Sequence, residues 1–112
     1  MTKILFVSAN LALSTTAERI FSKRPGVLVK AVKTDPETST LLPEEDFLWS
    51  DLVLCMESNQ KEQIENQYSG FISGKMIASL DIPDNIPILN TTLIEAIKRK
   101  AEEKLFAYQL RH

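Results

Sequence analysis

A strand, a short loop and a helix start follow one another near the N-terminus, in the order that builds anion sites. Lys3–Glu18 has the sequence KILFVSANLALSTTAE, in which an apolar run precedes small and polar residues. The amides of such a loop and the positive end of the next helix dipole point to one place. We therefore predict an anion-binding loop of seven residues: Ser8, Ala9, Asn10, Leu11, Ala12, Leu13 and Ser14.

The same loop has a second interpretation, in which it binds nothing. Serine and asparagine side chains often form hydrogen bonds with nearby backbone groups, and such bonds would leave few loop amides free for a ligand. Leu13 would also place an apolar side chain near the mouth of the loop. Both interpretations stay open, and weak phosphate affinity is the most that we expect.

Three residues outside the loop could take part in chemistry. Asp84 and Asp81 flank Pro83, and either could be a general acid that protonates a leaving oxygen. Aspartates around a proline also build turns, and without a nucleophile the turn is the favoured interpretation. Cys55 ends an apolar run and is expected to be a buried, unreactive thiol.

The loop resembles the phosphate-binding loop of low-molecular-weight protein tyrosine phosphatases, whose signature is Cys-x5-Arg-Ser. WSDLVLCMESN (Trp49–Asn59) is similar to the third strand and the following turn of that family. SLDIPD (Ser79–Asp84) resembles the segment that carries the general-acid aspartate. Asn85 and Ile86 lie where the family has the residues after its acid, which favours Asp84 over Asp81 for that position. The resemblance implies a flavodoxin-like α/β fold of the phosphotyrosine-phosphatase type.

The resemblance fails at the two residues that perform the family's chemistry. Aligned on the signature, the cysteine position holds Val7 and the arginine position holds Leu13. Val7 offers no nucleophile, and an apolar Leu13 cannot replace a guanidinium fork on phosphoryl oxygens. Ser8 would become the nucleophile only in a shifted alignment, and it would need an adjacent base, whereas the only histidine is the terminal His112. The alignment therefore implies that catalysis is lost.

The elements that must position these residues alternate between strands and helices. Apolar runs predict four strands, and Ser/Thr/Asn-x-x-Glu spacings predict helix starts. Alternation of this kind favours a parallel sheet with helices on both faces, a three-layer α/β fold whose ligands bind beyond the carboxyl ends of the strands. The predicted strands are Ile4–Val7, Val27–Val32, Asp51–Met56 and Met76–Leu80, and the predicted helices start at Thr15, after Pro43, at Asn59 and at Thr92.

Composition limits the class of protein. The 112 residues are 44% hydrophobic and 25% charged with a net charge of −2, which favours one ordinary globular domain over residues 1–112 and no nucleic-acid partner. One cysteine excludes an internal disulfide and favours the cytoplasm. Apolar runs of strand length predict no membrane span, and we expect no metal site and no cofactor.

We conclude from the sequence that this is a phosphatase-like domain without catalytic activity, a pseudophosphatase. We expect it to bind a protein partner or, weakly, a phosphate-bearing ligand. Two alternatives stay open: a phosphatase or phosphotransfer enzyme that uses an atypical residue, and a structural or assembly protein with a vacant loop. If the alignment is right, Val7→Cys combined with Leu13→Arg should restore phosphate binding.

Overall fold

The fold was obtained as a computed structural model that describes residues 1–34, 42–70, 74–84 and 90–111. Strands and helices alternate along these residues, as the hydrophobic pattern predicts. The strands are β1 (Thr2–Ser8), β2 (Val27–Lys33), β3 (Leu52–Cys55) and β4 (Met76–Ser79). The helices are α1 (Leu11–Phe21), α2 (Glu44–Trp49), α3 (Ser58–Gln67) and α4 (Thr91–Arg111).

The four strands form one parallel sheet in the order β2-β1-β3-β4. The chain moves from β1 to one side for β2 and then to the other side for β3, so β1 lies where the strand order reverses. In open parallel sheets this switch point is where loops leave a crevice at the carboxyl ends of the strands. The predicted three-layer α/β fold is confirmed, and the loop after β1 lies at its switch point.

Strand β1 is buried on both faces. Ile4 and Phe6 belong to a core cluster shared with α1 and α4, whereas Leu5 and Val7 belong to a second cluster that includes side chains of α2 and α3. Successive side chains of a strand point to opposite faces, so a strand covered on both sides needs an unbroken apolar run. This requirement explains why β1 could be predicted from the sequence.

Helix α1 begins one turn earlier than predicted. Asn10 caps it, because its side-chain Oδ1 accepts a hydrogen bond from the Ala12 amide at 3.0 Å. The predicted start at Thr15 is therefore wrong, and Thr15 lies inside the helix. An asparagine at the end of a strand satisfies the first orphan amides of the helix before Thr15 is reached.

Helices α3 and α4 also begin before the predicted residues. Glu57 and Gln60 form the capping box of α3, so the predicted box that starts at Asn59 is wrong. Asn90 accepts a hydrogen bond from the Leu93 amide at 2.8 Å at the start of α4, where Thr92 had been predicted as the cap. In both helices a polar residue that lies earlier in the chain satisfies the first amides.

Apolar residues of α4 recur every three or four positions, and most of them are buried. Ile97, Ala101, Leu105 and Tyr108 are buried in the core cluster shared with α1. Ile94 is the exception, with 36% of its surface exposed. Tyr108 ends the buried part of the stripe three turns after Ile97, and it anchors the C-terminal half of the helix on the sheet.

One aromatic residue of α2, Phe47, packs into the second core cluster. Phe47 is fully buried and stacks on Tyr68, with ring centroids 4.2 Å apart. Trp49 is only half-buried, and the Lys30 ammonium lies 4.5 Å from its ring centroid. Phe47 therefore packs the core, and Trp49 covers its margin.

Candidate functional site

The link between β1 and α1 consists of two residues, Ala9 and Asn10. Both of their backbone amides donate to one side chain, the carboxylate of Asp84. The Ala9 amide lies 2.5 Å from Oδ2, and the Asn10 amide lies 3.0 Å from Oδ1. A carboxylate from the chain itself therefore occupies the amide donors that the sequence predicted for an external anion.

Asp84 is held by a third donor and is nearly closed off from solvent. Only 6% of its surface is exposed, and the side-chain amide of Gln60 donates to Oδ2 at 2.5 Å. The carboxylate lies beside the start of α1, where the helix dipole favours negative charge. Hydrogen bonds to a charged acceptor are about twice as strong as those between neutral groups. Asp84 thus fastens the segment after β4 to the loop after β1.

Gln60 is a site residue that the sequence analysis did not identify. Its Oε1 accepts the Glu57 amide at 3.1 Å, which leaves the Nε2 group to face Asp84. The capping of α3 therefore sets the orientation of a donor at the site. The spacing from Glu57 to Gln60 fits a capping box and could have predicted this helix start. No residue near Gln60 in the sequence indicates that its side chain contacts Asp84.

Loop side chains also form hydrogen bonds with the loop's own backbone. The Ser8 hydroxyl donates to the Asn10 carbonyl at 2.7 Å, and the Ser14 hydroxyl donates to the Leu11 carbonyl at 3.2 Å. Both serines are fully buried. These contacts fit the second interpretation of the loop, in which serine and asparagine side chains satisfy nearby backbone groups.

Val7 and Leu13 point away from the loop. Val7 is fully buried in the core cluster that includes side chains of α2 and α3. Leu13 is fully buried in the other core cluster, which lies between α1, α4 and the opposite face of the sheet. The expectation that Leu13 lies near the mouth is wrong, because that position of α1 faces the sheet. The exposed apolar side chain beside the loop is Leu11, with 47% of its surface exposed. Ser8 is the strand residue next to the two donating amides.

Asp81 lies in an exposed turn and does not share the position of Asp84. Its backbone has a φ of 54°, a conformation that aspartate tolerates better than most residues. Its Oδ1 accepts the Ser79 hydroxyl at 2.9 Å, and the amide of Asp81 donates back to that hydroxyl at 3.1 Å. Asp84 is thus the aspartate that meets the loop. Residues 85 and 86, whose likeness to the family favoured Asp84 over Asp81 as the general acid, lie outside the described residues.

Cys55 is buried at the end of β3, as predicted. Burial raises the pKa of its thiol from 9.0 to about 12, with Glu65 adding to the increase and Lys61 opposing it. The thiolate is the nucleophilic form of cysteine, so this residue is poorly suited to be a displaced nucleophile. We expect thiol reagents to label it only as fast as the protein unfolds.

The raised pKa predicts how stability depends on pH. The thiol keeps its proton in the folded state up to a pH of about 12, whereas the unfolded chain loses it above 9.0. Stability from this group is complete below pH 9 and falls above it, by up to about 1.4 kcal/mol per pH unit. Denaturant unfolding between pH 8 and 10 should show this decline, and Cys55→Ala should reduce it; burial also raises the pKa values of Tyr68 and Tyr108, which adds a decline only near pH 10 and above. An equal decline in both proteins would contradict the assignment to Cys55.

Within the described ranges, no group of three or more potential ligands is arranged to hold a metal ion. None of the helices there is both long and apolar enough to span a membrane. The only histidine of the sequence, His112, lies outside the described residues. The chemistry that the described site offers is therefore a set of amide donors closed by a carboxylate.

Comparison with known proteins establishes the fold. No protein-family model matches the chain, and no curated protein matches it either. Structures of phosphatases do match. A low-molecular-weight protein tyrosine phosphatase from Streptococcus pyogenes superposes with a TM-score of 0.72 at 14% identity, over 96% of this chain and 93% of that one.

Two arginine phosphatases have the same fold. The YwlE arginine phosphatase from Geobacillus stearothermophilus matches with a TM-score of 0.61 at 22% identity, over 100% of this chain and 97% of that one. The Drosophila arginine phosphatase matches with a TM-score of 0.61 at 16% identity and the same two coverages. The fold implied by the loop resemblance is therefore confirmed, and this chain has the low-molecular-weight phosphatase fold.

Proposed function

We propose that this domain is a pseudophosphatase that acts by binding a protein partner. One observation carries the proposal: the carboxylate of Asp84 holds the amides of Ala9 and Asn10, which a phosphoryl group would need. The absence of the signature cysteine and arginine supports it. A carboxylate at this place also repels a phosphate dianion, because like charges a few ångströms apart resist burial together.

Phosphate hydrolysis is the direct test, and the structural neighbours suggest the substrates. One neighbour is a tyrosine phosphatase and two are arginine phosphatases. We expect neither phosphotyrosine nor phosphoarginine peptides to be turned over by the purified protein. The control is Ser8→Ala, which removes the one hydroxyl next to the donating amides. Turnover that survives repeated purification and disappears in Ser8→Ala would establish the alternative, an enzyme with an atypical nucleophile.

Anion titration tests the closed loop itself. In the wild-type protein we expect phosphate and vanadate to leave the NMR signals of the Ala9 and Asn10 amides unchanged, because Asp84 already occupies both donors. In Asp84→Ala the donors are released, and saturable shifts confined to these amides are expected. Saturable shifts of the same size in the wild-type protein would show that Asp84 does not close the site.

A further inference from the structure

Strand β4 forms an edge of the sheet in the described part of the chain. The Met76 amide donates to the Asp51 carbonyl at 3.1 Å, and the Leu80 amide donates to the Cys55 carbonyl at 2.7 Å, so alternate residues of β4 face β3. In a parallel ladder the residues between them face the other way. The backbone N–H and C=O groups of Ile77 and Ser79 are therefore directed outward along this edge.

A groove of about 490 Å³ runs beside this edge, with residues of α3 and α4 on its sides. Its charged lining is mainly basic, although the whole chain carries a net charge of −2. Two acidic residues, Glu65 and Asp81, also line it. The cationic lining residues are Lys61, Lys75, Lys104 and Arg111.

These cations are not used in the ion pairs found among the described residues, which join Arg24 to Glu102 and Lys30 to Asp46. Lys75 instead donates to the carbonyl groups of Leu48 and Ser50 at the end of α2. Positive charge therefore lies next to outward-facing strand groups. Both features are complementary to an extended peptide that carries carboxylates.

We propose that an acidic, extended segment of a partner protein binds here by adding a strand to the edge of β4. Its backbone would pair with the outward groups of Ile77 and Ser79, and its carboxylates would lie near Lys61 and Lys104. The proposal rests on the binding function proposed above and names its surface. A peptide is favoured over a nucleic acid because only a peptide backbone can extend the hydrogen-bonded ladder.

The test is an NMR titration of the full chain with a defined probe, a capped six-residue peptide of sequence Val-Glu-Glu-Val-Glu-Glu, whose neighbouring glutamates point to opposite faces of an added strand. We expect saturable shifts of the Ile77 and Ser79 amides. Charge reversal on both sides of the groove, by Lys61→Glu with Lys104→Glu, should weaken binding about tenfold. The matched control is Lys98→Glu, because Lys98 is exposed on α4 but lines a different part of the surface, and it should leave the affinity unchanged.

Two further probes separate strand pairing from simple charge attraction. The same peptide with N-methylated backbone amides keeps its charge but cannot pair, so we expect it not to bind. Equal binding of the methylated peptide, tighter binding of a ten-residue oligothymidylate, or no shift at Ile77 and Ser79 would each overturn the proposal. These results do not involve the Ala9 and Asn10 amides or the turnover assay, so a failure here is distinct from a failure of the proposed pseudophosphatase function.

Discussion

Asp84→Ala is expected to lower the free energy of unfolding by about 2–4 kcal/mol, a large effect for a polar side chain. The substitution removes the acceptor of three donors: the amides of Ala9 and Asn10 and the side-chain amide of Gln60. It also leaves a cavity, because Asp84 is only 6% exposed and neighbouring residues cover the rest of its surface. Urea unfolding at neutral pH measures the loss.

Asp81→Asn is the control for this prediction. Asp81 lies three residues away in an exposed turn, and asparagine tolerates its positive φ. We expect this change to stay within about 0.5 kcal/mol of the wild-type stability, as surface substitutions usually do. If Asp84→Ala were equally neutral, the three hydrogen bonds to its carboxylate would add nothing to the free energy of unfolding. The claim that Asp84 holds the loop closed would then be wrong.

Leu13→Arg is expected to unfold the protein or to cost about 4 kcal/mol or more. Leu13 is fully buried between α1, the sheet and α4, where a guanidinium would find no partner in its cluster of apolar side chains. Domains of this kind have only about 5–15 kcal/mol of total stability. Circular dichroism and thermal unfolding of the purified variant measure the effect.

Leu11→Arg is the matched control, because it places the same side chain two residues earlier in the same helix, on its exposed side. Leu11 is 47% exposed, so a guanidinium there can stay in water. We expect a small change in stability.

The same comparison bears on the engineered pair Val7→Cys with Leu13→Arg, which the sequence suggested would restore phosphate binding. Both positions face buried cores, so we now expect that pair to destabilise the fold instead. A well-folded Leu13→Arg protein that binds phosphate would refute this.

The proposed partner binding does not require the loop between β1 and α1 to open. The site around Asp84 is tied by hydrogen bonds to the link between β1 and α1 and to α3, whereas the basic groove lies beside the outer edge of β4. Under the proposed function, the loop held by Asp84 has a structural role, and a partner would bind at the groove beside β4. The two titrations follow different amides, those of Ala9 and Asn10 for the anion and those of Ile77 and Ser79 for the peptide, so each result can be interpreted separately.

The sequence alone determined the architecture, because the signals for it are local. Continuous apolar runs such as Ile4–Val7 indicate strands covered on both faces, and their alternation with helical segments requires a parallel sheet. The absence of the signature cysteine and arginine is equally visible without a structure. The burial of Cys55 also followed from its place at the end of an apolar run.

Only the tertiary structure showed what fills the loop. Asp84 lies 75 residues from Ala9 in the sequence, and Gln60 lies 24 residues from Asp84, so no periodicity or spacing connects them. Their contact depends on the order of the strands, which brings the segments after β1, β3 and β4 to one edge of the sheet. The structure also showed that α1 starts at Leu11, because Asn10 rather than Thr15 caps its first amides. This start places Leu13 on the buried side of the helix.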